Sequence, residues 1–358
     1  MIDLVSLTQK LVQIPSQTKN EKEVCDFIES WVRTELPGIP LSRSRNNLIV
    51  CPPQHGDRPV IGLFGHIDTV PADPDQPLGI IKDGKLYGCG SSDMKSGVAV
   101  MMGLLKEYEK FNADLVAVFY DGEEGPDVGN GMRGLMPTLP PIDFAIVLEP
   151  TNNAIMAGCM GGLHAIVTVE GKRAHSARPW QGQNAIFRSL PLLAKLRDLP
   201  RREVNINGLT FYEVMSPTMA STSNAANVIP DKFEINVNAR FAPNRSENDV
   251  VAELTKLVGD LATIKVRDVS VPGQVCVSHP LMQGWIERCS LQVEPKQAWT
   301  DLARLTANGI PAVNFGPGDP DRCHQAVEWM EIANLEKCYN LLSVFLTEIC
   351  QVKTEPLA

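Results

Sequence analysis

The sequence predicts an α/β fold: a largely parallel central sheet flanked by helices, with an inserted α+β domain. Three observations carry this reading. Uninterrupted apolar runs lie at 60–64, 115–120, 144–148 and 312–315, each the length of a strand buried on both faces. Helical hydrophobic patterns lie between or beside them. In the middle of the chain the alternation stops, a compact α+β stretch of about a hundred residues intervenes, and the α/β pattern resumes near residue 275.

Taken in order, Leu4, Leu7, Leu11 and Val12 predict a helix over 4–14, and Val24, Phe27, Ile28, Trp31 and Val32 a second over 21–34. The run at 60–64 is the first buried strand. A short polar strand comes next at 85–87, in a hairpin-like stretch. A helix at 95–110, a strand at 115–120, a helix at 129–136 and a strand at 144–148 complete the first part. The insert reads as a strand at 163–170, a helix at 182–197, strands at 203–216 and 232–241, and a helix at 246–260. Beyond it, helices are expected at 280–291, 298–308 and 332–349, around the strand at 312–315, with a frayed tail over 351–358. The division expected is a catalytic, metal-binding domain of 1–161 and 273–358 and an inserted lid or dimerisation domain of 162–272.

Composition narrows the function. Of 358 residues, 44% are hydrophobic and 21% charged, which is ordinary for a globular protein and rules against disorder. The formal charge is −9, and such a surface repels phosphate backbones, so nucleic acid is not an expected partner. The nine cysteines are odd in number and lack C-x-x-C spacing, against a zinc ribbon or a disulfide framework and in favour of a reducing compartment. No long apolar stretch suggests a membrane span or a signal peptide, so a cytoplasmic location is expected.

The chemistry lies in the residues just beyond each buried strand. The run at 60–64 leads into Gly65-His66-Ile67-Asp68, that at 115–120 into Asp121-Gly122-Glu123-Glu124, and that at 144–148 into Glu149-Pro150. The run at 312–315 leads into a Gly-Pro-Gly-Asp turn, with His324 a little later, and Asp93 stands just before a helix. Ligands of open α/β sheets bind beyond the carboxyl ends of the strands. Imidazoles and carboxylates gathered at one edge suit Zn²⁺ and its neighbours. His66, Asp93, Glu124, Glu149 and His324 are one ligand too many for a single catalytic zinc. They suit two ions that share a bridging carboxylate and jointly activate a water.

Each residue alone has a plainer reading. Asp93 can be a helix N-cap, the Glu123-Glu124 pair a solvated loop, Glu149 a polar strand end, and His324 a surface histidine. Asp68, two residues beyond His66 in an extended segment, shares its face and can orient the ring from behind. Cys89 reads as a buried spectator thiol. No phosphate loop, complete dinucleotide fingerprint or nucleophile elbow is present.

The motifs GHIDTVP (65–71), LYGCGSSDMKSG (86–97), DGEEG (121–125) and LEP (148–150), with the late His324, resemble the co-catalytic zinc amidohydrolase/peptidase family. That family includes aminoacylase, acetylornithine deacetylase, succinyl-diaminopimelate desuccinylase and glutamate-releasing carboxypeptidases. The segment at 171–186 resembles the start of the family's lid domain, and those at 227–246 and 299–329 resemble the desuccinylase branch. The resemblance spans essentially the whole chain. It departs at Cys89, where many relatives have Arg, and at Ser96, where many have Gly.

The resemblance implies two divalent ions, Zn²⁺ foremost with Co²⁺ or Mn²⁺ as alternatives. His66 and Glu149 would hold one, Glu124 and His324 the other, with Asp93 bridging and Asp68 orienting His66. Glu123 would be the general base, and His175, which relatives supply from the partner subunit of a dimer, would stabilise the oxyanion. Arg178, Asn227 and Arg240 would hold substrate carboxylates. It further implies a homodimer through the inserted domain and a small anionic N-acyl amino-acid substrate. N-succinyl-LL-2,6-diaminopimelate is the first expectation. N-acetylornithine, N-acetyl-lysine or a dipeptide is the alternative, and a metal-binding protein without catalysis is the reading from another class.

Overall fold

The computed structural model describes residues 2–350, and the expected frayed tail lies outside them. Two compact units emerge. The first comprises Met1–Ala157, Cys276–Glu294 and Arg304–Ala358, and the second Gly158–Val275 with Pro295–Ala303. The stretch Pro295–Ala303, read from sequence as part of the catalytic domain, thus groups with the second unit.

In the first unit an eight-stranded sheet has four parallel strands at its centre. They lie in the spatial order Asp114–Tyr120, Val60–His66, Phe144–Val147, Ala312–Asn314. The first three are buried along their whole length, the burial their unbroken apolar sequences require. Antiparallel strands flank this centre on both sides. The helix Leu4–Gln13 starts on an Asp3 side chain that accepts the Ser6 N–H at 2.9 Å, and it buries Leu4, Leu7, Leu11 and Val12. It packs with the helices Lys95–Lys106 and Ile332–Val344. Trp285 anchors a second part of the core, with ring centroids 4.6 Å from Phe315 and 4.7 Å from Phe345.

Close backbone approach sets the helix Lys95–Lys106 against the strand ends. A Cβ at Gly97 would stand 2.3 Å from the Leu148 carbonyl oxygen, so only glycine lets the helix come so near. The glycines of the turn at 316–318 act alike. A Cβ on Gly316 would meet the Glu149 carbonyl oxygen at 2.4 Å, and one on Gly318 the Ser92 carbonyl oxygen at 2.1 Å. Three loops at the carboxyl edge are therefore pressed together backbone on backbone.

The second unit holds a five-stranded antiparallel sheet. Its core comes from alternate residues of the strands Gly161–Glu170 and Lys232–Phe241, against the helices Ala185–Arg197 and Glu247–Val258. The last of these begins with a capping box between Ser246 and Asp249. One expectation is corrected here. Residues 203–216 are not a single strand but a hairpin of Arg202–Ile206 and Leu209–Ser221. It turns at Asn207 and Gly208, whose φ values are 51° and 85°, the two positive angles of a tight hairpin turn. Among the described residues no helix is long and apolar enough to cross a membrane.

Candidate metal centre

The four central strands of the first unit deliver the residues after them to one edge, as their order requires. His66 ends the strand Val60–His66 and is fully buried. Its Nε2 lies 3.1 Å from Asp93 Oδ1 and 4.0 Å from Glu149 Oε1. The other oxygen of Asp93 lies 3.6 Å from His324 Nε2, which stands 3.0 Å from Glu124 Oε1. Asp93 thus stands between two histidines, His66 at one oxygen and His324 at the other, with Glu149 beside the first and Glu124 beside the second. The donor atoms of His66, Asp93 and Glu124 lie within 4.8 Å of one another. The structure brings all five residues together, from positions 66 to 324 of the chain.

The helix after Asp93 has Met94 at its N-cap position, one residue beyond Asp93. His324 has a φ of 59°, an uncommon backbone state for a non-glycine residue that recurs at functional sites.

Electrostatics tests the fit of a cation. Burial opposes protonation of His66, yet the Asp68 and Asp93 carboxylates outweigh it and raise its pKa well above the ordinary value. The carboxylates of Asp93, then of Glu124, raise that of His324 to about 10. The edge therefore attracts positive charge strongly. Divalent cations satisfy it better than protons, because imidazole nitrogens and carboxylate oxygens are together the donors Zn²⁺ and related ions prefer.

Asp68 does more than back His66. The nearest acceptor to His66 Nδ1 is the Asp68 backbone carbonyl, at 3.0 Å, with the carboxylate at 3.5 Å. That carboxylate accepts the backbone N–H groups of Glu123 and Glu124, each at 3.1 Å, and the Thr18 hydroxyl at 2.9 Å. Both acidic residues of the loop after Asp114–Tyr120 therefore rest on one buried anion, and the charge of Glu123 is felt at His66.

Lys95 and Glu328, both buried, escape the sequence reading. Lys95 donates from Nζ to the Ile14 carbonyl at 2.6 Å, and burial lowers its pKa to about 8. Glu328 accepts three backbone N–H groups around Asp93, and burial pushes its carboxyl up to about 7. No spacing rule marks Glu328, since its partners are main-chain groups 235 or more residues earlier. Cys89 is buried, and burial raises its thiol pKa, as a spectator requires.

The remaining expected residues lie in the second unit. His175 ends the short strand Ala174–His175, paired with Val228–Ile229. Its Nδ1 accepts the Ala177 N–H at 3.0 Å, which places the proton of the neutral ring on Nε2 and leaves that nitrogen a donor. Arg178 and Asn227 neighbour it. The Arg178 N–H donates to the His175 carbonyl at 2.8 Å, and the Ser176 N–H to the Asn227 carbonyl at 2.9 Å. Arg240 stands apart on the strand Lys232–Phe241, opposite Gly162. Burial lowers its pKa, and among the described residues no carboxylate pairs with it.

The peptidase family M20/M25/M40 matches residues 62–348. A succinyl-diaminopimelate desuccinylase of Corynebacterium glutamicum is 37% identical, over 97% of this chain and 96% of its own. A putative succinyl-diaminopimelate desuccinylase of Mycobacterium tuberculosis is 36% identical, over 96% and 98%. Among solved structures, a tripeptidase of Staphylococcus aureus superposes with a TM-score of 0.79 at 19% identity, over 97% of this chain and 98% of that one. A dinuclear metal-binding peptidase of Bacillus subtilis superposes with a TM-score of 0.72 at 16% identity, over 97% of each. At such identities the structural likeness concerns the fold.

Proposed function

The chain belongs to the peptidase family M20/M25/M40 as a metal-dependent hydrolase of amide bonds, and we propose that it converts N-succinyl-LL-2,6-diaminopimelate to succinate and LL-2,6-diaminopimelate. That step leads toward lysine and a cell-wall precursor, in the cytoplasm. The substrate is inferred from near full-length identity of 36–37% to proteins named for that reaction. The chemistry is inferred from one observation: the two carboxylate oxygens of Asp93 face His66 and His324, beside which stand Glu149 and Glu124.

In this reading those five residues hold two divalent ions, Zn²⁺ foremost, with Co²⁺ or Mn²⁺ able to replace it. Such ions polarise the scissile carbonyl and acidify water when bound. Glu123 removes a proton from the attacking water and delivers it to the departing amine. Asp68 fixes the backbone of Glu123 and Glu124 and thereby aims both. His175 donates from Nε2 to the developing oxyanion. Arg178, Asn227 and Arg240 hold the substrate's carboxylates. The desolvated Arg240 is primed for an anion in a chain otherwise rich in negative charge.

The test is a substrate panel on metal-loaded protein, with succinyl and acetyl derivatives of diaminopimelate, ornithine and lysine. Succinate release from the succinyl compound is expected to dominate. No release, beside rapid hydrolysis of N-acetylornithine, would replace this substrate with the acetylated one. Arg240→Ala is expected to lower kcat/KM for the succinyl compound by about 10- to 100-fold, the worth of a hydrogen bond to a charged group.

The homodimer is proposed through the second unit. The helix Ala185–Arg197 exposes Phe187 by 70% and Leu190 by 56%, and Trp180 just before it is 76% exposed. Such apolar side chains gathered on one segment mark an interface, and a second copy is the occupant. Sedimentation of Phe187→Asp is expected to show monomers where the parent shows dimers; a parent already monomeric would sink the proposal.

A further inference from the structure

Glu328 has no place among the five donors, yet it is built into the same centre. It is 2% exposed. Its carboxylate accepts the N–H groups of Gly90 at 2.9 Å, Ser92 at 2.7 Å and Asp93 at 3.0 Å. Its own carbonyl accepts the Gly88 N–H at 3.0 Å. The next residue continues the attachment, since the Trp329 carbonyl accepts the Ser92 hydroxyl at 2.9 Å. The strand Trp329–Glu331 then pairs with Lys85–Tyr87, directly before the same loop. Gly88, Gly90, Ser92 and Asp93 are therefore all tied to Glu328 and the strand just after it.

A buried carboxylate facing three main-chain donors is satisfied only while those donors converge. The loop must keep one shape, and Asp93 is the last of the three residues held. The side chain of Asp93 is the group that reaches both His66 and His324. His324 and Glu328 also lie in one short segment. That segment supplies one donor directly and aims another through its backbone.

We propose that Glu328 is a positioning residue that fixes the main chain of Asp93, so that the Asp93 carboxylate spans the two metal positions. The inference rests on the two-ion reading above. Outer groups that orient metal ligands are worth about 10- to 100-fold in affinity or activity. Replacing the carboxylate with an amide turns an NH₂ group toward main-chain donors. An amide offers one acceptor oxygen where the carboxylate offers two and carries no charge, so the loop loses part of its anchor while the hydrophobic core is untouched.

The experiment is Co²⁺ binding to the full chain, by chelator competition and visible absorption, for the parent, E328Q and E328D. Circular dichroism of the metal-free proteins checks the fold. E328Q is expected to bind Co²⁺ about 10- to 100-fold more weakly, with a changed absorption band, a lower kcat and a nearly unchanged KM. E328D keeps the charge with a shorter reach and is expected to fall between Gln and the parent. It decides the matter by the same readout if E328Q does not fold. Affinity and spectrum equal to the parent in a folded variant overturn the assignment. A parent that binds no stoichiometric Co²⁺ overturns the two-ion reading instead, so the two failures are distinguishable.

Discussion

Dialysis against a strong chelator is expected to bring amide hydrolysis down to the uncatalysed background, and added Zn²⁺, Co²⁺ or Mn²⁺ to restore it. The reason lies in the donor set. His66, Asp93, Glu124, Glu149 and His324 gather imidazoles and carboxylates at one edge, and none of these side chains polarises a carbonyl as a divalent ion does. The fold is expected to survive, because the Trp285 cluster and the apolar strand interiors that make the core are not among the donors. Stability should still fall. At free metal a hundred times the dissociation constant, each site contributes about 2.7 kcal/mol to the native state. Thermal unfolding with and without chelator, beside turnover and elemental analysis, checks this. Full activity at substoichiometric metal content would refute the two-ion centre.

Glu123→Ala is expected to lower kcat by about 10²- to 10⁴-fold, the usual worth of a positioned acid or base, while metal content stays at the parent level. Glu124→Ala, one residue on, is expected to lose activity through loss of metal. Two adjacent glutamates can part in this way because the Asp68 carboxylate holds both backbone N–H groups. That hold fixes the main chain, so each side chain keeps its own direction when the other is cut back. Elemental analysis and steady-state rates on the two variants decide it. A Glu123→Ala protein with parental turnover would remove that residue from the proton path, and a Glu124→Ala protein with full metal would remove that one from the donor set.

Much of this was legible in the amino-acid order. A strand buried on both faces must be apolar throughout, so the runs ending near His66, Tyr120 and Leu148 announce themselves, and so do the polar residues beyond them. Of the expected donors, His66, Glu124 and Glu149 were found because each is a chemically distinctive side chain at or just past such an end, and Asp93 and His324 because the motifs around them resemble those of a known family. Glu328 was not, because it acts on backbone N–H groups, which every residue offers alike. The backbone targets of Asp68 were hidden for the same reason. The hairpin at Asn207-Gly208 carried a readable signal, the dipeptide itself, but the alternating residues on either side let 203–216 pass for one strand. The grouping of Pro295–Ala303 with the second unit comes from long-range pairing, such as the Tyr212 N–H on Gln297, which a local pattern does not encode.

The order of the central strands has one more consequence. Glu124, His66 and Glu149 issue from three neighbours in a parallel sheet, so the lateral pitch of that sheet, about 4.8 Å between adjacent strands, is a built-in ruler for the spacing of the reactive groups. Hydrogen bonds along the whole ladder keep that ruler rigid. Loops around it can lengthen, shorten or change composition and so accommodate a different acyl group, while the distance between the hydrolytic groups stays as the sheet dictates.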